Sequence, residues 1–291
     1  MRWRVLGRSV RGAAHVRSGA PNQDAIDWLT TGEGPPLVVA IADGHGSAKS
    51  FRSERGARLA VDAVLAECAA LTHAPPAEAL PSAIKRMAEE HLPRLLVRRW
   101  TTAVDEALAA EPFTPAELEA LERKEGASAR AQIEKDPRLA YGATVLATVV
   151  APHFLFHLQL GDGDILCVSE RGEVTRPIGR DPRHLGNQTT SLCSPAAERE
   201  VRIAFQTRSS PTPALILLAT DGYANSFRDD AAFLQVGPDL LALLREEGVD
   251  SVEQALEGWL TDASASGSGD DITLGLLCRL DGLAAGPGAP A

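Results

Sequence analysis

The feature that most constrains this chain is an apolar run that stops on an acid. Leu37-Val38-Val39-Ala40-Ile41-Ala42 is rich in β-branched residues, runs unbroken into Asp43, and is followed by Gly44-His45-Gly46. Such a run reads as a buried strand, and the stretch after Ser47 reads as a helix start. A strand ending this way fixes a carboxylate at the rim of a sheet. The glycine lets backbone approach an ion or ligand closely. Taken alone, Asp-Gly is also a common tight turn, so the other strands must decide between the two readings.

They repeat the pattern. Ala214 to Thr220 runs into Asp221-Gly222, and His153 to Leu160 alternates before Gly161-Asp162-Gly163-Asp164. Asp24 opens a strand over 25–29, and Asp270-Asp271 precedes a strand over 272–278. A first strand over 3–10, a loop at Ser18 to Pro21, and a hairpin from 141–150 into 153–160 complete the β-regions. His153 and His157 share one strand face and read as an exposed pair rather than a metal pair. Helical spacing is expected over 52–71, then near 82–92, 94–110 and 114–132 within a helical insertion at 72–140, and again near 229–246 and 251–263. Thr114 and Glu117 fit a capping box with Pro115 at the first helical position. Arg98-Arg99 beside Trp100 reads as a solvated helical face, with a substrate or partner contact as the alternative. Residues 177–212 read as a flap-like surface excursion with a short strand at 201–205. The Gly/Ala/Pro composition of 282–291 predicts a disordered tail after a domain at 1–281.

Composition narrows the function classes. A net charge of −10 over 291 residues disfavours a nucleic-acid surface. The four cysteines are widely spaced, with no C-x-x-C, which reads as a reducing compartment and not as disulfides or a zinc site. No apolar run reaches membrane-spanning length and the basic N-terminus lacks an apolar core, so a cytoplasmic location without a membrane partner is expected.

Asp24, Asp43, Asp162, Asp221 and Asp270 therefore all fall at strand ends or in loops abutting strands. Like charges crowded on one rim repel unless something neutralises them. Hard divalent cations do so, and carboxylate, carbonyl and water oxygens suit Mg²⁺ or Mn²⁺. Two such ions can activate a water and clamp a phosphoryl group. The residues alone thus point to a two-metal hydrolase acting on a phosphate ester.

The ordered set N-Q-D-A, V-V-A-I-A-D-G-H-G, Y-G-A-T-V, L-G-D-G-D, L-L-A-T-D-G and G-D-D-I-T-L resembles the metal-dependent protein phosphatases of the type-2C (PPM) family, in its bacterial branch. The match spans about residues 10–280. The resemblance implies an α+β fold, a four-layer α-β-β-α sandwich of two antiparallel sheets flanked by helices. It implies hydrolysis of phosphoserine or phosphothreonine in proteins, with no covalent phosphoenzyme, at two or three Mn²⁺ or Mg²⁺ ions. Asp43 would bridge two ions with the Gly44 carbonyl as a further ligand. Asp221 and Asp270 would complete one shell, Asp24 would hold a water of the other, and Asp162 would help bind a third ion. His45 would protonate the leaving oxygen, and Arg17 would grip the substrate phosphate. Thr144 would give structural support, while His15 is equally a partner of the site or a plain strand histidine. A monomer is expected, with a phosphoprotein substrate linked to a Ser/Thr kinase.

The chain departs from the family pattern in several places. Gln23 stands where many members carry glutamate. Arg17 lies two residues further from Asp24 than in the better-known eukaryotic pattern, so its role depends on the Gly19–Asn22 loop. Asp271 replaces a common asparagine and is not expected to ligate. The alternatives are a pseudophosphatase acting as a phosphoprotein- or partner-binding module, and a two-metal nuclease, which the charge disfavours.

Overall fold

In the computed structural model, which describes residues 1–32, 34–73, 81–181, 189–207 and 211–284, alternation along the strands sets the layering. The strands are β1 (Trp3–Val10), β2 (Ala25–Thr30), β3 (Leu37–Ala42), β4 (Val145–Val150), β5 (Phe154–Leu160), β6 (Asp164–Val168), β7 (Val174–Thr175), β8 (Arg202–Thr207), β9 (Leu215–Ala219) and β10 (Ile272–Arg279). They form two antiparallel sheets, ordered β1-β10-β9-β6-β7 and β2-β3-β4-β5-β8. The helices are α1 (Ala13–Ser18), α2 (Ser53–His73), α3 (Pro81–Arg86), α4 (Leu92–Ala110), α5 (Pro115–Glu125), α6 (Ala127–Lys135), α7 (Asp221–Ala224), α8 (Asp230–Glu246), α9 (Val249–Ser266) and α10 (Leu280–Leu283).

Strand β3 shows why the fold has four layers. Leu37, Val39 and Ile41 pack between the sheets with Trp3, Ile165, Ile216, Leu218 and Leu277. Val38, Ala40 and Ala42 face the other way, onto Val61 and Val64 of α2 and Leu96 and Trp100 of α4. On the far side Leu166, Leu217 and Leu276 meet Phe233, Leu240 and Leu241 of α8 and Val252, Leu256 and Leu260 of α9. Each valine, leucine, isoleucine or phenylalanine among them, fully buried, contributes roughly 1.5–3 kcal/mol. The α-β-β-α sandwich expected from the sequence is therefore present.

Register then collects the acids. In the β2–β8 sheet Ala25 pairs with Ala42, and Val145 with Leu160, so Asp24, Asp43 and Asp162 leave at one rim. In the other sheet Ala219 pairs with both Asp164 and Leu274, which puts Asp164, Asp221 and Asp270 at one rim as well.

Several expectations are corrected. Residues 13–18, whose His15 has a plain strand histidine as one of its two readings, form a short helix closed by Gly19 at φ 78°. The helix expected over 114–132 is split by Gly126 at φ 84° into α5 and α6, although the Thr114–Glu117 capping box forms as expected. His157 is not exposed: it is buried between the sheets, with Nδ1 2.9 Å from Thr148 Oγ1, and His153 lies in the turn before β5. Arg98 and Arg99 do lie on an exposed helical face, Arg99 pairing with Glu67 at 2.5 Å, while Trp100 beside them is buried and donates to Gly56 O. The 177–212 excursion packs Ile178, Leu192 and Ala197 inward, so it is not wholly superficial. Its residues 182–188 and 208–210, the start of the insertion at 74–80, and the tail from 285 lie outside the described residues; Leu280–Leu283, at the start of the expected tail, is helical. No helix among the described residues is long and apolar enough to cross a membrane.

Candidate metal centre

The rims meet at a cleft of about 860 Å³, lined by Gln23, Asp43, Gly44, His45, Asp162, Asp221, Asn225, Asp270 and Asp271 together with Ser47, Ser50, Thr144 and Thr189. Asp43 is fixed through its backbone. Its N–H donates to Thr144 Oγ1 at 3.1 Å, and its carbonyl accepts from Thr144 N at 2.8 Å. Gly44 follows because nothing larger fits: a Cβ there would lie 2.6 Å from both Gln23 O and Ser53 O. His45 N donates to Gly142 O at 3.1 Å, which ties the turn to the segment before β4.

Asp221 opens α7, and Asn225 one turn later donates to its Oδ2 at 3.0 Å. Behind this pair, Asp24 Oδ2 lies 2.8 Å from the hydroxyls of Thr220 and Thr273. Asp271, nearly fully buried, accepts from Gly12 N at 2.6 Å and Gln23 N at 2.7 Å and lies 2.8 Å from His15 Nδ1. It is a tie between three chain segments. This resolves His15 as a partner of the site, carried on a helix.

The electrostatics are those of an anionic cage. Burial pushes the Asp43 carboxyl well above the usual carboxylate range, and Asp24, Asp221 and Asp270 push it further. Burial does the same to Asp24, outweighing the bonds from Thr273 and Thr220. Asp221 is raised by burial and by Asp162 and Asp270, although it lies within hydrogen-bonding reach of Asp43. Burial lowers the His45 imidazole, and Asp162 opposes that shift. No lysine or arginine lines the cleft among the described residues. Facing carboxylates of this kind must share protons or a cation, and an all-oxygen donor set fits a hard divalent ion.

The model of the family described as Protein phosphatase 2C matches residues 11–261. This chain belongs to the protein phosphatase 2C family. Among solved structures, the serine/threonine phosphatase PstP/Ppp of Mycobacterium tuberculosis is similar over 96% of this chain and 99% of its own, at 19% identity and a TM-score of 0.56. The catalytic domain of PstP in complex with two manganese ions is similar over 95% and 98%, at 19% identity and a TM-score of 0.54. PppA, a regulatory component of the type VI secretion system in Pseudomonas aeruginosa, matches over 96% and 98%, at 17% identity and a TM-score of 0.55. At such identities the likeness is one of fold, and the family membership makes the domain a phosphoprotein phosphatase. No curated protein matches the chain.

Within this phosphatase 2C domain the structure brings Asp43, Gly44, His45, Asp162, Asp221 and Asp270 to one cleft, with Asp24 directly behind. It does not bring Arg17 there. The Ala13–Ser18 helix carries that side chain out to solvent, away from the cleft lining. Gln23 lines the cleft and donates its amide to Ser53 Oγ at 2.7 Å. Asn225, Thr220 and Thr273 are absent from the sequence reading of the site, and Asp271 enters it only as a residue not expected to ligate. Asn225 was the most accessible of them, since a polar residue four after Asp221 falls on the same face of any helix starting there.

Proposed function

We propose that this domain, spanning 1–281, hydrolyses phosphoserine and phosphothreonine in proteins at a centre of two Mn²⁺ or Mg²⁺ ions, with a third and weaker site at Asp162. One observation carries the reading: Asp43 and Asp221 face each other within hydrogen-bonding reach in a cleft whose described lining holds no arginine or lysine. Two bound ions would supply a water of lowered pKa as nucleophile and would neutralise phosphoryl oxygens.

The chain's own groups then divide the remaining work. Asp43 lies between the acids of both sheets and would hold both ions, with the Gly44 carbonyl as a further ligand. Asp221, held by Asn225, and Asp270 would complete the shell of one of them. Asp24 keeps Oδ2 on two threonine hydroxyls, which leaves Oδ1 to orient a water of the other position. His45 protonates the departing serine or threonine oxygen; the charge of Asp162 favours the protonated ring that burial disfavours. Arg17 has no part in this arrangement. The physiological setting we propose is a cytoplasmic monomer acting on the products of a Ser/Thr kinase.

The test is hydrolysis of p-nitrophenyl phosphate and a phosphoserine peptide with Mn²⁺, with Mg²⁺ and with EDTA. Turnover that needs the ion and disappears in Asp43→Asn supports the reading. A folded, ion-binding protein without turnover on either substrate would instead make the domain a phosphoprotein-binding module.

A further inference from the structure

We infer that the helical insertion orients His45, and that Arg52 is the positioning residue through which it does so. The inference rests on the proton-donor role given above to His45.

Arg52 precedes α2 and is only 6% exposed, yet its guanidinium is fully engaged. Nε donates to Glu117 Oε1 at 2.8 Å, and Nη2 donates to Glu117 Oε2 at 2.9 Å and Pro112 O at 3.1 Å. Nη1 donates to Glu111 O at 2.6 Å and to the Tyr141 hydroxyl at 2.9 Å. Those contacts use all five guanidinium N–H groups. The cation lies 4.8 Å from the centre of the Phe113 ring, and its own backbone N–H donates to Ala140 O at 2.8 Å. Glu117 is the capping-box residue that starts α5. One side chain thus ties the 111–117 segment of the insertion to Tyr141, the first residue after the insertion on the approach to β4.

The next residue carries the consequence. Gly142 O receives the His45 N–H, and a Cβ on Gly142 would lie 2.6 Å from His45 Cδ2. The Gly142 backbone is therefore both the tether of the His45 turn and the wall against the imidazole. Shifting Tyr141 moves Gly142, and the ring with it. Asp43 is held separately, through Thr144, so a loosened Tyr141 spares the carboxylates. A clamp that served stability alone would need no buried cation, since apolar groups of similar volume do as well or better. A planar guanidinium with five occupied donors fixes direction.

The full chain is tested as Arg52→Lys, Glu117→Gln and Tyr141→Phe, with His45→Ala as reference. Three quantities are read: turnover of a phosphoserine peptide and of p-nitrophenyl phosphate, Mn²⁺ affinity by calorimetry, and the His45 Cδ2–H signal of the metal-free protein by NMR. An aryl leaving group needs little protonation, so displacing the proton donor penalises the peptide selectively. We expect Arg52→Lys and Glu117→Gln to lose about tenfold or more in kcat on the peptide and under about twofold on the aryl ester. Mn²⁺ affinity stays unchanged and the His45 signal shifts; Tyr141→Phe shows the same pattern more weakly. Should Arg52→Lys fail to fold, the other two variants carry the same comparison. Equal losses on both substrates with an unmoved His45 signal, or no loss at all, overturn the inference. If His45→Ala itself loses equally on both substrates, the proton-donor role fails and the inference falls with it. If His45→Ala is selective and the clamp variants are not, only the inference fails.

Discussion

The carboxylates of the helical insertion and those of the cleft live under opposite regimes. Glu117 is held down at about 2, chiefly by its bonds from Arg52. Asp105 is lowered by a two-pronged contact with Arg138, at 2.9 and 2.7 Å. Even Asp164, buried on the same rim as the cleft acids, has Arg176 at 2.5 Å and Arg180 at 3.2 Å. Asp24, Asp43 and Asp221 are instead driven up, first by burial and then by the carboxylates around them, Asp162, Asp270 and Asp271 included. The chain has 29 lysines and arginines and commits none of them to the described cleft lining. The missing positive charge is thus a property of the site, one that leaves room for a cation from solution.

The contrast breaks most visibly at Asp43. Asp43→Asn removes the acid that faces carboxylates of both sheets, and turnover is expected to fall about a thousandfold, equivalent to about 4 kcal/mol of barrier. A decrease of less than tenfold in a folded variant would deny Asp43 its central place. Next comes an arginine-like solution imposed on the cleft. Asn225→Lys places an ammonium beside Asp221, so Mn²⁺ affinity in calorimetry falls about tenfold or more while the melting temperature of the metal-free protein rises. The opposite pair of results would mean the acids do not need a cation.

Adding the natural cation gives a smaller effect. At a hundredfold excess over Kd it stabilises by about 2.7 kcal/mol, about 5–10 °C in melting temperature for a domain of this size. The sign with pH follows from the raised carboxyls. Their folded pKa lies above the ordinary 3.8, so metal-free stability falls as pH rises from 3.8 through the folded values. Ions take the deprotonated form, and calorimetric scans with and without Mn²⁺ should separate more at pH 7.5 than at pH 5. The insertion behaves the other way. The Glu117 contribution is complete above 4.5 and is lost as pH falls through about 2. Glu117→Gln is therefore less stable than the parent at pH 7, and the gap narrows towards pH 2 in thermal melts. The smallest effect is expected at Arg17, where alanine leaves kcat within about twofold; a tenfold loss would return that side chain to the substrate.

What the sequence made legible was whatever local pattern controls. Six apolar residues before Asp43 announce a strand with two covered faces, and the repeated ending at Asp162 and Asp221 announces a shared rim. The capping box at Thr114 is visible because it closes within one helical turn. His157 was misread because alternation gives a face but not what covers it; the sheet of Cys167 and Ile216 does. Asp271 and Arg52 were opaque for a related reason. Asp271 meets Gly12, His15 and Gln23, and Arg52 meets Glu111, Pro112, Glu117 and Tyr141, all made neighbours by tertiary folding alone. The direction of Arg17 is hidden in the sequence because α1 has only six residues and no buried stripe to orient it.

The place of β10 in its sheet has a kinetic consequence. It lies between β1 and β9, pairing Trp3 with Arg279 and Cys278 with Leu215, and it brings Asp270, Asp271 and Thr273 with it. Before it docks, β1 has no strand neighbour in its sheet, Gly12 lacks its acceptor, and Asp24 lacks a hydroxyl. Contacts of such sequence separation form slowly and late. Cation uptake during refolding is therefore expected to follow β10 docking, because Asp270 and Asp271 reach the cleft only with that strand.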